Sequence, residues 1–165
     1  MKWITITSPK FLSGEAIFID KLFSQGLDLL HIRKPDAPLE AYKLFLLQIP
    51  KQWYSRIVLH EHFALAEEFG LHGIHLNRRY SVAPNAFHGS ISCSCHTIEE
   101  VITQKESKDY VFLSPIFDYC CPIKPLYTAI SSLNPAEIGM ISSYFKFQAP
   151  PTRIMTTLLV GLLPG

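Results

Sequence analysis

The sequence predicts an α/β protein built as an incomplete (β/α)8 barrel (TIM barrel), with about six βα units and an atypical C-terminal tail. Short runs rich in β-branched residues alternate with helix-like segments over residues 1–118, which is typical of repeated βαβ units and a parallel sheet. The sequence contains no glycine-rich motif of the kind that binds dinucleotides in Rossmann folds. Polar residues end five of the six predicted strands, which favours a barrel. An open doubly wound sheet, the alternative, would concentrate them at one switch point.

The six strands predicted from these runs lie within the first 115 residues. They cover residues 3–7, 27–33, 56–61, 72–77, 89–94 and 110–115. Because the carboxyl ends of parallel strands meet at one face of a barrel, we expect their polar side chains at a common mouth. These side chains are His31, Arg33, His60, Glu61, His75, Asn77, Ser92, Ser94 and Ser114.

Helical patterns separate the predicted strands. Residues 15–26 end at Gly26, which suits a C-terminal cap, and Pro38 opens a helix over residues 39–49. A short helix ends at Gly70, and Thr97 followed by Glu100 predicts a capping box at the start of another. Helical spacing places these apolar residues toward the core: Ile19, Leu22 and Phe23 in the first helix, and Leu39, Tyr42, Phe45 and Leu46 in the second.

Composition and charge exclude several classes of function. With 48% hydrophobic and 18% charged residues, the chain can bury a core, and its net charge of +1 gives no electrostatic footprint for nucleic acid or an anionic membrane. The longest uncharged apolar stretch, residues 154–163, is half of the ~20 residues that a spanning helix needs. No signal-peptide pattern opens the chain. We expect a cytoplasmic protein without nucleic-acid or membrane partners.

The four cysteines form a CxC pair, Cys93 and Cys95, and an adjacent pair, Cys120 and Cys121. Without a secretory signal they are expected to be reduced thiols. Strand alternation places Cys93 and Cys95 on the same side, so a metal-binding thiol protein is one alternative function. The spacing differs from the CxxC or Cys/His pairs typical of zinc sites.

The composition changes after residue 118, where we place the boundary between the βα units (1–118) and a tail of the same domain (119–165). The tail holds six of the twelve prolines but only four charged residues. A short helix is expected over residues 134–145. Since six units leave the edges of the first and sixth strands open, we expect the tail or a second copy of the chain to cover that gap.

The polar set at the predicted mouth suits an anion and a cation. Arg33 offers a planar fork for phosphate, with Lys34 beside it, and a helix starting after Thr97 would direct amides to an anion. Glu61 is the one carboxylate at a strand end, which makes it the candidate for a hard cation such as Mg²⁺. The histidines expected there as acids, bases or hydrogen-bond donors are His31, His60, His62, His75 and His96.

At these residues the chain resembles the thiamine phosphate synthase family (thiamine phosphate pyrophosphorylases), which includes thiazole tautomerase relatives. The matching stretches are LDLLHIRKP, RIVLHEHFALAEEFGLHGIHLN, SISCSCHTIEE and DYVFLSPIFD, in the family's order, over residues 3–118. The resemblance implies a transferase of thiamine biosynthesis that joins aminopyrimidine methyl pyrophosphate to thiazole phosphate. Pyrophosphate leaves with the help of Mg²⁺ as cofactor.

The resemblance also implies roles for individual residues. Arg33 matches the arginine that grips pyrophosphate, and His31 and His60 stand at a pyrimidine-contacting glutamine and an asparagine. Glu61 falls on an Mg²⁺-associated aspartate. The implied catalytic residues are Arg33, Ser94 and His96, and the implied substrate-binding residues are His31, Arg33, His60, Asn77, Ser94 and Lys124.

The sequence departs from the family pattern at several sites. Pro35 replaces a lysine, and Arg78, Arg79 and Tyr80 occupy the stretch expected to hold a second Mg²⁺ carboxylate. Pro115 stands where the tautomerases have a histidine, and the family's seventh and eighth strands are not found. These departures leave two alternatives open: a non-catalytic, truncated barrel that binds a thiamine-related ligand or self-associates, and a thiazole tautomerase-like protein.

Overall fold

A computed structural model of the chain describes residues 2–113 and 159–161. Seven strands form one sheet in the spatial order β6-β5-β4-β3-β2-β1-β7. The strands are β1 (Lys2–Ile6), β2 (Leu29–Ile32), β3 (Ile57–Leu59), β4 (Gly73–Leu76), β5 (Ser90–Cys95), β6 (Tyr110–Leu113) and β7 (Leu159–Gly161). The helices are α1 (Glu15–Ser24), α2 (Leu39–Gln48), α3 (Ala64–Glu68) and α4 (Ile98–Gln104), with a 3-10 helix at Lys51–Arg56.

Strands β1 to β6 pair in parallel and in chain order, and helices lie between them. On the inner face of the sheet, Ile4 and Leu29 pack in one cluster with Tyr110 and Phe112. Contact between the first two strands and the sixth requires the sheet to curl. The six strands therefore form a curled half-barrel, which confirms the predicted incomplete TIM-barrel-like fold over an open sheet.

The outer face of the sheet packs against the helices in the larger hydrophobic core. In α2, Tyr42, Phe45 and Leu46 are buried as predicted, but the prediction for Leu39 is wrong, because this first residue of the helix is 40% exposed. Helix α1 ends at Ser24, and Gly26 provides the predicted C-terminal cap, since its φ of 102° allows the Leu27 amide to donate to the Leu22 carbonyl. The 3-10 helix before β3 was not predicted.

Strand β7 lies in the tail and pairs in antiparallel fashion with β1, with Trp3 opposite Val160. Cα atoms of β7 also come within 8 Å of Cα atoms in β6, at the other end of the sheet. A tail segment thus covers the edge of β1. Self-association of the chain stays a prediction. The boundary at residue 118 and the helix expected over 134–145 lie outside the described residues.

Across the part of the chain that the structure describes, every helix is too short or too polar to span a membrane.

Candidate functional site

Three histidines from consecutive strands meet inside the half-barrel. His31 lies in β2, His60 directly follows β3, and His75 lies in β4. All three are buried, with exposed fractions of 0%, 4% and 0%. Parallel pairing places each strand one step further around the inner face, so residues distant in sequence project into a shared space. The predicted convergence of polar strand ends is correct for these three histidines.

The rings touch one another directly. Nδ1 of His31 lies 3.0 Å from Nε2 of His60, which is hydrogen-bonding distance. The His60 and His75 rings stack with centroids 4.3 Å apart and an interplanar angle of 26°. His31 approaches both rings edge-on, at centroid distances of 5.2 and 5.3 Å. The three imidazoles therefore form a compact group, which we call the histidine cluster.

Hydroxyl groups of β5 and β6 surround the histidine cluster. The Tyr110 hydroxyl lies 2.8 Å from Nε2 of His31. Ser92 Oγ lies 2.9 Å from Nδ1 of His75, and Ser94 Oγ lies 2.9 Å from Nε2 of the same ring. Ser92 and Ser94 lie on β5, the strand paired with that of His75, whereas Tyr110 reaches His31 from β6, four strands away. The rings are therefore held from more than one direction.

Burial keeps the histidine cluster uncharged. Desolvation lowers the pKa of His31 and His60 well below the ordinary value, and lowers the pKa of His75 to about 3. The positive charge of Arg33 adds to this effect at His60 and His75. The rings act near neutral pH as hydrogen-bonding groups with lone pairs, and a role as resident acids is excluded.

Arg33 follows β2 directly and is exposed at the carboxyl end of the sheet. Its backbone amide donates to Thr7 Oγ1 over 2.9 Å, which fixes the main chain at this point. Its charge lowers the pKa of His75. A common mouth for Arg33 and Ser94 stays a prediction.

Lys34, predicted as a partner of Arg33 in anion binding, points elsewhere. The side chain is fully buried, and its Nζ lies 2.7 and 2.8 Å from the two carboxylate oxygens of Glu15. The same ammonium donates to the carbonyls of Ser8 and Lys10 over 2.8 and 2.9 Å. Lys34 therefore ties the loop after β1 to α1, and the prediction that it faces an anion is wrong.

Glu61, the predicted metal ligand, is 4% exposed. Its Oε2 accepts hydrogen bonds from the Tyr42 hydroxyl and, over 3.2 Å, from the Lys34 amide. Mg²⁺ needs oxygen ligands with room for several waters, and the described residues offer one carboxylate here, already engaged by two donors. Residues 78–80 add no carboxylate. The described residues at Glu61 therefore do not form a suitable set of Mg²⁺ ligands. Binding of Mg²⁺ by this protein stays a prediction.

The remaining predicted residues have different surroundings. Asn77 donates from Nδ2 to the His60 carbonyl over 2.9 Å, so it holds the loop after β4 against the histidine cluster. His96 is exposed, and its amide donates to Glu100 Oε2 over 2.5 Å. Thr97 caps α4 as predicted, with Oγ1 accepting from the Glu100 amide. Lys124 and Ser114 lie outside the described residues.

His62, predicted at the mouth, and Cys93 and Cys95, predicted as candidate metal-binding thiols, lie outside the histidine cluster. His62 binds the Ala37 carbonyl through Nε2 over 2.8 Å and packs on the Tyr42 ring, outside the histidine cluster. Cys93 and Cys95 do share one side of β5, but they lie in the core beneath the helices. Burial raises the pKa of Cys93, and that of Cys95 to about 12, so both remain thiols that bind metals weakly.

Tyr110 had no predicted site role, and His75 and Ser92 were predicted at the mouth without assigned partners. His75 and Ser92 were visible as polar strand ends, and only their mutual contact was missing. Tyr110 begins β6, whose other residues are all apolar, so the strand sequence did not suggest a polar site residue. The available signal was alternation, which places Tyr110 and Phe112 on the same face of the strand.

The geometry of the half-barrel has a counterpart among solved structures. The crystal structure of a thiamine phosphate pyrophosphorylase from Bacteroides thetaiotaomicron matches with 50% sequence identity and a TM-score of 0.68. The match covers 70% of this chain. The predicted resemblance to the thiamine phosphate synthase family is confirmed. The chain spans 59% of the length of that thiamine phosphate pyrophosphorylase. No protein-family model and no curated protein matches the chain.

Proposed function

We propose that the chain acts in thiamine biosynthesis as a thiamine phosphate synthase-like transferase. The substrates would be aminopyrimidine methyl pyrophosphate and thiazole phosphate, and the products thiamine phosphate and pyrophosphate. The observation that carries this proposal is the 50% identity to the Bacteroides thetaiotaomicron pyrophosphorylase over 70% of the chain. The exposed position of Arg33 directly after β2 supports it.

The reaction breaks the bond between the pyrimidine methylene carbon and a pyrophosphate oxygen, and the electron pair leaves with pyrophosphate. The thiazole nitrogen then forms a bond to the methylene carbon with its own lone pair. Arg33 would stabilise the charge that develops on the departing pyrophosphate, since a guanidinium can donate two parallel hydrogen bonds to phosphate oxygens. Ser94 would donate a further hydrogen bond at the same mouth.

The uncharged histidine cluster suits the other half of the reaction. A pyrimidine methylene that is losing pyrophosphate gains positive charge, and a protonated imidazole nearby would oppose it. Burial lowers the pKa of His31 and His60, so these rings stay neutral and can exchange hydrogen bonds with an aminopyrimidine. This role corresponds to the pyrimidine-contacting positions implied by the family resemblance.

A second candidate is a protein that binds the pyrimidine pyrophosphate without turning it over. The observation that favours it is Glu61, whose Oε2 is engaged by Tyr42 and the Lys34 amide. A synthase that depends on Mg²⁺ would need this carboxylate to change partners. The tautomerase-like role has no comparable support among the described residues, and the cytoplasmic location stays a prediction.

The experiment supplies both phosphorylated substrates with Mg²⁺ to the full chain and measures thiamine phosphate. For Arg33→Ala we expect kcat/KM to fall by roughly 100-fold or more, while Arg78→Ala, in an exposed loop, serves as the matched control and keeps full activity. Absence of product with the wild-type chain refutes the transferase proposal. Calorimetric binding of the pyrimidine pyrophosphate in that case supports the second candidate.

A further inference from the structure

We propose that the histidine cluster is a binding site for a nitrogen-preferring divalent metal ion such as Zn²⁺, with His31, His60 and His75 as ligands. One ligand atom from each residue lies within 4.8 Å of those of the other two. The site differs in place and chemistry from the Mg²⁺ site implied by the family resemblance, which uses carboxylates. The inference does not depend on the proposed transferase activity. The two proposals are alternatives for this cluster, because a bound dication would oppose the positive charge that develops on the pyrimidine methylene.

Distances within the cluster suit a metal ion. Two nitrogens bound to one Zn²⁺ at about 2.0–2.1 Å in tetrahedral geometry lie about 3.3 Å apart. Nδ1 of His31 and Nε2 of His60 are 3.0 Å apart, held by a single shared proton. A metal ion would replace that proton and require these nitrogens to separate by a few tenths of an ångström. Small rotations of His31 and His60 would accomplish this. The His60 and His75 rings stack at an interplanar angle of 26°, so one of these two rings must turn further before both nitrogens face one ion.

Hydrogen bonds around the cluster indicate which nitrogens carry the lone pairs. Ser92 Oγ lies 3.3 Å from the Ile74 carbonyl, to which its hydroxyl donates, so Ser92 can accept from Nδ1–H of His75. Nε2 of His75 then carries the free lone pair and is the nitrogen available to a metal ion. Ser94, which donates to this nitrogen in the metal-free chain, would give way to the metal.

Second partners of the ligands have the arrangement found at metal centres. A metal-bound histidine usually donates its other ring N–H to an oxygen, which fixes the ring orientation. If Nδ1 of His31 binds the metal, Nε2–H donates to the Tyr110 hydroxyl, 2.8 Å away. His75 has the equivalent partner in Ser92. The hydroxyl oxygens of Tyr110 and Ser92 would therefore orient two of the three ligands, by accepting from the ring nitrogens that do not bind the metal.

The chemistry of the donor set decides the class of metal. Imidazole nitrogens suit Zn²⁺, Co²⁺, Ni²⁺ and Cu²⁺, whereas Mg²⁺ prefers oxygen. The described residues supply three ligands, which leaves a fourth position of a tetrahedral ion for a water molecule or a substrate atom. All three ligands are buried, so an ion would enter through a local opening of the half-barrel.

The first experiment titrates Zn²⁺ into the untagged, chelator-treated full chain in competition with a chromophoric chelator. We expect one Zn²⁺ per chain and no displacement by a large excess of Mg²⁺. His31→Gln and His60→Asn should lose stoichiometric binding, and Tyr110→Phe should weaken it by roughly 10- to 100-fold. His88→Gln, which alters an exposed histidine outside the cluster, is the matched control and should bind as the wild type does.

A second measurement avoids the risk that a buried substitution prevents folding. The wild-type chain loaded with Co²⁺ should show the visible absorption of a tetrahedral, nitrogen-ligated ion, without the near-ultraviolet band of a thiolate ligand. Zinc should also raise its unfolding temperature. The proposal is overturned by substoichiometric zinc, by a thiolate band, or by unchanged binding in folded His31→Gln and His60→Asn. It is equally overturned if His88→Gln abolishes binding.

Discussion

The Lys34–Glu15 ion pair shows how one buried charge can shape the surroundings of a site without joining it. The pair joins the loop after β1 to α1, and the ammonium contacts a carboxylate together with two carbonyl oxygens. Removing one partner of such a pair leaves the other charge buried and unpaired. The loop after β1, and through it the approach to Arg33, therefore depends on this contact.

We predict that Lys34→Met destabilises the chain by about 3–5 kcal/mol, because Glu15 would remain as an uncompensated buried charge. The double variant Lys34→Met with Glu15→Leu should recover much of that loss, since neither charge is left. Lys43→Met is the matched control, because its pair with Glu68 is solvent-exposed and should contribute less than about 1 kcal/mol. Urea unfolding measures all three, and equal losses for Lys34→Met and Lys43→Met would contradict the prediction.

Each strand of the half-barrel could be predicted from sequence to within two residues, because short β-branched runs bounded by glycine or polar residues have few alternative structures. The mouth was predictable for the same reason, since parallel strands bring their ends together. The direction in which each side chain points was harder to predict from the sequence. Arg33 and Lys34 are neighbours in sequence directly after β2, yet Arg33 is exposed whereas Lys34 is buried against Glu15.

Close pairing of β4 and β5 depends on Gly73. A Cβ atom added there would lie 2.0 Å from the Ser90 carbonyl oxygen, and the backbone cannot yield without breaking the ladder. We predict that Gly73→Ala destabilises the chain by at least about 3 kcal/mol and disturbs His75, two residues away. Protection of β4 and β5 amides from hydrogen exchange provides the measurement.

Gly70→Ala is the matched control for that change. Gly70 has a φ of 63°, but an added Cβ meets nothing within 4 Å, so the cost is backbone strain alone, about 1–2 kcal/mol. The two variants separate a steric clash between strands from local strain in a turn. If Gly70→Ala proved the more damaging, the close approach of β4 and β5 would not be the limiting feature.

At the scale of the whole molecule, the histidine cluster makes folding stability depend on pH. Burial holds the pKa of all three rings below the value of 6.5 expected in the unfolded chain. Below that pH the unfolded state binds more protons than the folded state, so stability falls as the solution becomes more acidic. The loss continues until the folded rings titrate, which for His75 occurs near pH 3.

We predict that the metal-free chain loses about 4 kcal/mol of unfolding free energy between about pH 7.5 and pH 5.5, because three rings each contribute roughly 1.4 kcal/mol. Urea titrations in the presence of a chelator measure the difference. A folded His31→Gln variant should lose about one third less over the same interval. His88→Gln should follow the wild-type curve. A wild-type stability that is flat across this range would show that the rings are solvated.

The bond between His31 and Tyr110 joins residues 79 positions apart in the chain. During synthesis on the ribosome, β2 emerges long before β6 exists, so the imidazoles must spend that interval in water. Contacts of such long sequence separation form late, because the intervening chain has to be ordered first. The interior of this half-barrel is therefore completed only when its last parallel strand arrives, and a nascent chain halted before Tyr110 would expose the whole polar centre to solvent.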